Sequence, residues 1–321
     1  MTEPDHVSQP AALPPEGTGA GPQLSFIERH GISYLLFGLV SLMVIFFLYE
    51  IVGGVLTFLL VGMKPTAGNV TGFRIATAVG QIAFILVPTL ILARFATRNY
   101  KDFLRLRMPA FKAIIFPVIG IFSLQQLLQV YLMFQDRIPT PERLRPLIEQ
   151  FRELIEQAYM MLVGSHSPGE LFVVIVVVAL IPAVVEELMF RGLVQQSFER
   201  SLTPSRGVVV TGVVFAAYHL NPFAFIPLCA LGIYLGFLAM RAGSIWVSAT
   251  AHFVNNAAAS VAVYLHFDDN AIVNGNPETM PPQVLLPTVF VFAVIFVAST
   301  YMFIHVTRHR QAAGAEDGAP A

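Results

Sequence analysis

Long apolar runs separated by short polar segments dominate the pattern of this chain. A helix needs about 20 apolar residues to cross the hydrocarbon core of a bilayer. Most of eight apolar runs in the sequence reach that length, and the fifth is shorter. They predict helices near residues 33–62, 74–97, 111–134, 169–200, 207–220, 223–240, 244–265 and 284–306. The pattern therefore predicts an all-α, polytopic membrane bundle of about eight transmembrane helices.

The segment between the third and fourth runs has a different pattern. Over residues 141–162, apolar side chains recur at helical spacing, from Leu144 through Phe151 to Leu162, with Arg and Glu between them. This spacing is typical of an amphipathic helix. Such a helix lies at the membrane interface or against a bundle. We therefore expect residues 141–162 to pack beside the spans.

The two ends of the chain differ from its middle. Residues 1–30 are rich in Pro, Gly and Ala, residues 308–321 are rich in Ala and Gly, and both are predicted to be disordered tails. No basic region precedes the first apolar run, so we expect no cleavable signal peptide. We find no internal repeat. Residues 31–307 are therefore expected to form a single transmembrane domain.

Composition and charge agree with this organisation. Hydrophobic residues make up 55% of the chain and charged residues 12%, against about 25% charge in soluble domains. Basic residues concentrate in alternate connections, at residues 94–112, at residues 191–206, at Arg241 and at Arg308. The positive-inside rule then predicts that both termini are cytoplasmic. The composition suits a bacterial inner membrane, with the lipid bilayer as partner, and no nucleic-acid partner is expected.

Two adjacent glutamates provide the first candidate chemistry. Residues 171–185 carry no charge, yet they lead directly into Glu186 and Glu187. An ionisable side chain at membrane depth costs roughly 3 kcal/mol, so it is rare without a function. Pro182, four residues before Glu186, removes one backbone hydrogen bond beside the pair. Glu187 and Arg191 are four residues apart, the spacing of a helical ion pair that would keep Glu187 charged, while Glu186 faces a cavity.

Three further polar residues lie on later apolar runs. Glu186 and His219 lie at similar distances, about 25 Å along their helices, from the turn at Thr203, so the two side chains can meet at one depth. A carboxylate beside an imidazole can take a proton from water. His252 and Asn256 share one helix face, and they suit an oxyanion hole, with Asn255 as the alternative amide. We predict that these residues share a cavity that opens toward the cytoplasm.

Several other chemistries lack their residues in this sequence. There is no His-Glu-x-x-His zinc helix, and no aspartate lies in an apolar run. No Gly-x-Ser-x-Gly turn occurs, and no glycine-rich phosphate loop either. These absences leave water activation by a glutamate as the chemistry that the sequence supports.

The three motifs together resemble a known family. Glu-Glu-x-x-x-Arg at 186–191, Phe-x-x-x-His at 215–219 and His-x-x-x-Asn at 252–256 resemble the CPBP family, the CAAX prenyl endopeptidases and bacteriocin-processing intramembrane proteases. The resemblance covers residues 168–262. It implies Glu186 and His219 as the water-activating pair, His252 and Asn256 as the oxyanion side, and Glu187 and Arg191 as supporting residues.

The resemblance leaves cofactors open, because this family is often labelled a metalloprotease. We expect no metal or other cofactor, since no pair of candidate ligands in the motifs has the i, i+4 spacing of a zinc helix. If a divalent metal such as zinc does bind, its expected ligands are Glu186, His219 and His252.

The sequence therefore predicts an intramembrane endopeptidase. Its expected partner is a membrane-anchored peptide or a lipidated protein, with prenylated CAAX proteins as the class that the resemblance implies. Two alternatives stay open. One is a non-proteolytic membrane immunity or scaffold protein that keeps the polar residues as a network between helices. The other is an ion transporter, because Glu and His also line ion pathways.

Overall fold

A computed structural model describes residues 24–63, 66, 68–135, 137–139, 141–265 and 282–316. All of its regular structure is helical, and no strand occurs among these residues. The helices are α1 Phe26–Arg29, α2 Tyr34–Val61, α3 Val70–Ala96, α4 Tyr100–Phe103, α5 Lys112–Gln135, α6 Arg145–Val163, α7 Pro168–Ser201, α8 Pro204–Tyr218, α9 Phe225–Ala242, α10 Ile245–Tyr264 and α11 Pro282–Glu316. The predicted all-α membrane fold is confirmed.

Each of the eight predicted runs corresponds to one long helix. Within the described ranges, six helices are long and apolar enough to cross a membrane: Tyr34–Val61, Val70–Ala96, Lys112–Gln135, Pro168–Ser201, Pro222–Ala242 and Leu285–Arg308. The other two are α8, with 15 residues, and the more polar α10. A helix of the length of α8 spans about 22 Å, less than the hydrocarbon core of about 30 Å. The count of eight crossings and the cytoplasmic termini stay predictions.

The predicted tails fall partly outside the described residues. Residues 1–23 and 317–321 are not described. Within the predicted N-terminal tail the backbone forms the short helix α1, and α11 continues past residue 307 to Glu316. The amphipathic segment predicted at 141–162 corresponds to α6.

Several connections meet at one end of the bundle. Arg105, after α4, forms a buried ion pair with Glu199 near the end of α7. The Ile245 amide at the start of α10 donates to the Arg105 carbonyl at 3.0 Å. Arg200 donates to the Tyr34 hydroxyl at the start of α2 at 2.7 Å. We call this the basic end; it holds residues 97–111, 202–203 and 243–244.

The opposite end is built around α6. The Arg74 guanidinium, near the start of α3, donates to the Leu162 carbonyl at 3.0 Å and also to the Gly164 carbonyl. Gln135, at the end of α5, donates to the Phe223 carbonyl at 2.7 Å, in the turn before α9. These contacts define the α6 end, where the last turn of α6 meets the start of α3, and the Phe151 ring of α6 lies 6.1 Å from the Phe223 ring in the turn before α9.

Helix α7 is the centre of the bundle. Its side chains from Glu187 to Gln195 are buried, and the packed side chains Met189, Phe190 and Leu193 are inaccessible to solvent. The backbone widens to π-helical turns over Ile175–Leu180 and again over Leu188–Val194. Such turns occur often at functional sites. This helix carries the glutamate pair to the middle of the fold.

Candidate active site

A cavity of about 700 Å³ lies between α3, α5, α6, α7, α8, α9 and α10. Its wall is largely apolar, and its polar lining residues are Thr77, Gln81, Gln125, Gln129, Glu156, Tyr159, Glu186, His219, Asn221, His252, Asn255 and Asn256. The structure therefore brings Glu186, His219, His252 and Asn256 to one cavity. Glu187 and Arg191 lie behind its wall.

Glu187 is the centre of a fully buried charged cluster. Its Oε1 forms an ion pair with Arg191 Nη1 at 2.9 Å, as the spacing predicts. The same oxygen accepts a hydrogen bond from Nδ1 of His252 at 3.1 Å. Arg191 also donates to the Gly232 carbonyl on α9 at 3.1 Å, and its guanidinium stacks over the Phe215 ring at 4.6 Å. One glutamate thus ties α7 to α10, and its arginine ties α7 to α8 and α9.

The contact between Glu187 and His252 was not predicted, because sequence spacing assigned Glu187 only to Arg191. The two residues are 65 positions apart in the chain. Buried charges need a partner. Arg191 already meets this rule for Glu187, so no signal in the sequence pointed to His252.

Glu186 faces the other way from its neighbour. Successive residues of a helix point about 100° apart, so Glu186 lines the cavity while Glu187 enters the core. In the described structure, Oε2 of Glu186 is buried and makes no hydrogen bond. A buried carboxylate oxygen without a partner is costly. It is therefore available to a water molecule or to substrate.

His219 directly follows the last residue of α8 and lies at the cavity wall. Its Nδ1 donates to the Phe215 carbonyl at 2.7 Å, one helical turn back. No hydrogen bond joins His219 to Glu186 in the described part of the chain, so the direct contact allowed by the register is not made. The two groups instead share the cavity, and neither Nε2 of His219 nor Oε2 of Glu186 makes a hydrogen bond among the described residues.

The two imidazoles have the same hydrogen-bonded tautomer. In each ring Nδ1 meets an acceptor, the Phe215 carbonyl or the Glu187 carboxylate. The network therefore assigns the proton to Nδ1 and leaves a lone pair on Nε2 when the ring is neutral. A neutral His252 accepts at Nε2. It donates there only as imidazolium.

Asn256 is fixed by an irregularity of α7. In a regular helix the Val178 carbonyl accepts from the amide of residue 182, but Pro182 has no N–H. Asn256 Nδ2 donates to this carbonyl at 3.1 Å, and its Oδ1 accepts from Asn255 Nδ2 at 3.2 Å. One N–H of the Asn256 amide remains for another acceptor in the cavity.

Comparison with known proteins gave a match to a family model. Residues 168–258 match the family model of the type II CAAX prenyl endopeptidases, Rce1-like. The chain carries an Rce1-like domain. This confirms the resemblance drawn from the three motifs, and a match to a CAAX protease family supports a peptidase. Searches of curated proteins and of solved structures found no match.

The Rce1-like domain contains every predicted site residue, and it runs from the start of α7 into α10. The rest of the cavity wall comes from outside it. Gln81 on α3, Gln125 and Gln129 on α5, and Tyr159 on α6 line the cavity, and none of them was predicted from the sequence. A detectable signal existed for the glutamines, because polar amides inside apolar spans are uncommon and mark functional positions.

The metal ligands considered for the Rce1-like domain do not form a ligand cluster. Among the described residues, no group of three or more His, Cys, Asp or Glu side chains is placed to hold a metal ion. Glu186, His219 and His252 line one cavity without converging on one point. A metalloprotease-like site thus has no support from the donor set.

Proposed function

We propose that this protein is an intramembrane endopeptidase that hydrolyses a peptide bond in a membrane-anchored substrate. The observation that carries the proposal is the unpaired, buried Oε2 of Glu186 in a cavity shared with two imidazoles and an amide. The Rce1-like domain supports the same reaction class. A bacterial inner membrane is the proposed location.

The first step assigned to Glu186 is removal of a proton from water. The water oxygen bonds to the carbonyl carbon of the scissile peptide, and the carbonyl oxygen takes the negative charge. The free N–H of Asn256 and the Nε2–H of a protonated His252 are the donors proposed for this oxyanion. Glu187 supports the second donor because it holds Nδ1 and balances the positive charge.

The second step breaks the C–N bond. The proton held by Glu186 passes to the departing nitrogen, and Nε2 of His219 is the proposed relay for it. The products are a carboxylic acid and an amine, so the proton balance closes with one water consumed. The apolar part of the cavity wall, with Leu128, Leu228 and Leu231 among its members, suits a substrate that brings an apolar chain with it. Prenylated CAAX tails are one such class.

The test is cleavage of fluorogenic peptides by purified protein in detergent, with prenylated and unprenylated sequences in the panel. Glu186→Gln is expected to lower the rate at least about 10²-fold, because it removes the general base. Glu50→Gln is the matched control, since Glu50 lies on α2 and lines a different cavity. Cleavage at equal rates by Glu186→Gln and wild type would refute the role of Glu186 as general base, and no cleavage by either protein would favour a scaffold.

The same assay with a chelator tests whether cleavage requires a metal ion. Cleavage is expected to continue in the presence of a strong chelator. Loss of cleavage that added zinc restores would instead make Glu186, His219 and His252 ligand candidates.

A further inference from the structure

Two side-chain oxygens in the cavity wall are buried without a hydrogen-bond partner. Among the described residues that line the cavity, these two atoms are Oε2 of Glu186 on α7 and Oε1 of Gln81 on α3. An ionised carboxylate and the carbonyl oxygen of an amide can only accept hydrogen bonds. A buried acceptor that has no donor is costly. The cavity wall therefore presents two acceptors that both require a donor.

Gln81 differs from the other glutamines of the cavity wall in its burial. Only 6% of its surface is exposed, although it lies in the middle of an apolar span. Gln125 and Gln129 on α5 are half-buried, and neither has a buried polar atom without a partner in the described structure. Burial of an amide is unfavourable unless its hydrogen bonds are made. The position of Gln81 therefore calls for a specific ligand at its oxygen.

Tyr49 on α2 links the two acceptors. It forms a side-chain hydrogen bond with Gln81, and it interacts electrostatically with Glu186. Because Oε1 of Gln81 has no partner, the amide nitrogen of Gln81 is the group that contacts the Tyr49 hydroxyl. Residues 181–187 of α7 also pack against residues 70–86 of α3. Gln81 and Glu186 are therefore neighbours on one side of the cavity, and Tyr49 holds the amide of Gln81 by its nitrogen.

Two neighbouring acceptors select a ligand that carries two donors. A peptide group of a substrate has a single N–H, so it satisfies one of the two oxygens and leaves the other without a partner. A water molecule has two O–H groups on one atom. Buried waters typically bond to about three buried polar groups that have no other partner. The pair therefore favours water over the substrate backbone.

We propose that Gln81 and Glu186 bind the hydrolytic water between them, and that Gln81 orients this water for attack. The role in attack rests on the proposed function. One O–H points to Oε2 of Glu186, which takes that proton, and the other is held by Oε1 of Gln81. A lone pair of the water oxygen then forms the bond to the scissile carbonyl carbon. Gln81 gains and loses no proton, so the balance of the first step is unchanged. A glutamine orients the attacking water in GTP hydrolysis as well.

Gln81→Met tests this role, because methionine keeps the length of the side chain and removes the amide. We expect kcat for peptide cleavage to fall about 10–10²-fold, since a misplaced reacting group costs up to that much. KM should stay within about twofold, because the substrate is still bound. Gln126→Met on α5 is the matched control and should cleave as the wild type does, since Gln126 is half-buried and lies outside the cavity lining.

Two kinetic results would overturn the proposal. A raised KM with an unchanged kcat in Gln81→Met would assign Gln81 to substrate binding. Wild-type values of both constants would leave Gln81 without a part in the reaction.

Tyr49→Phe is a second variant, which keeps Gln81 and removes the hydroxyl that holds its amide. We expect a smaller fall in kcat than for Gln81→Met, again with KM unchanged. The double variant should be no slower than Gln81→Met alone, because Tyr49 acts through Gln81. Losses that multiply in the double variant would show that Tyr49 and Gln81 act independently, and this would contradict the proposed link.

A structure of the substrate-free protein that shows ordered waters tests the site without catalysis. A water is expected at about 2.5–3.0 Å from both Oε2 of Glu186 and Oε1 of Gln81, and Gln81→Met should lose it. Another group on either oxygen, or no water that touches both, would overturn the proposal. If this water is found but no peptide is cleaved, the endopeptidase proposal fails and the water site stands. Cleavage without such a water would give the opposite conclusion.

Discussion

Glu186 and Glu187 are neighbours in the sequence, yet their side chains lie in different environments. Glu187 is fully buried and holds two cationic or protonatable partners, Arg191 and His252. Glu186 lines the cavity with an oxygen that has no hydrogen-bond partner. We therefore expect removal of the Glu187 carboxylate to affect the stability of the fold, and removal of the Glu186 carboxylate to affect catalysis.

Glu187→Gln is expected to destabilise the protein strongly. The change keeps the shape of the side chain but leaves the buried guanidinium of Arg191 without its counter-ion. Breaking a buried ion pair from one side costs about 3–5 kcal/mol. Thermal unfolding in detergent measures this, with Glu153→Gln on the exposed surface of α6 as the matched control. An unfolding midpoint equal to that of the control would show that the pair does not hold the fold.

At the scale of the element, α7 combines a proline with two π-helical stretches. Pro182 has no N–H to donate to the preceding turn, and the amide of Asn256 reaches the Val178 carbonyl from α10. A break in one helix is thus compensated by a side chain of another. The sequence points to Pro182 and Asn256 separately, but nothing in their spacing links them.

A double-mutant cycle tests this link. Asn256→Leu is expected to cost about 1–3 kcal/mol of stability, because it leaves the Val178 carbonyl without the amide donor. In a Pro182→Ala background the cost should be smaller, since residue 182 then offers its own N–H. The expected coupling exceeds about 0.5 kcal/mol. Unfolding in detergent provides the free energies of unfolding of the wild type, the two single variants and the double variant.

Asn255→Leu is the control for this cycle. Asn255 contacts Asn256 and makes no hydrogen bond to Val178 among the described residues, so its effect should be the same in both backgrounds. If the stability cost of Asn256→Leu is also the same in both backgrounds, the hydrogen bond of Asn256 does not depend on Pro182.

At the scale of the whole molecule, two glycines set how closely α8 approaches α9. A Cβ on Gly212 would lie 2.7 Å from the backbone nitrogen of Ile233, and one on Gly232 would lie 2.8 Å from the Gly212 carbonyl oxygen. Only glycine allows the two backbones to approach this closely. The contact fixes His219, which follows α8, relative to the Gly232 carbonyl that holds Arg191.

Gly212→Ala is therefore expected to force the two helices apart. Overpacking of this kind costs about 1–3 kcal/mol, and peptide cleavage should fall with it because His219 moves away from Glu186. Gly54→Ala on α2 is the matched control, as a Cβ there meets open space. The measurements are the unfolding midpoint and the cleavage rate of each variant. Equal values for Gly212→Ala and Gly54→Ala would contradict the close approach of the two backbones.

The features that sequence predicted are those that depend on short separations along the chain. Apolar run length predicted all eight long helices, and helical spacing predicted α6 and the pairing of Glu187 with Arg191. The order of three short motifs was enough to recognise the protease family. Each of these needs only one helix, whose geometry is fixed by its own backbone hydrogen bonds.

Tertiary structure alone decided what happens between helices. It placed His252 on Glu187 and Asn256 on Val178, and it added the glutamines of α3 and α5 to the cavity wall. These contacts depend on how each helix is rotated and how deeply it packs against its neighbours. The amino-acid sequence determined the helices and the chemistry they carry, whereas packing between them determined which groups meet in the cavity.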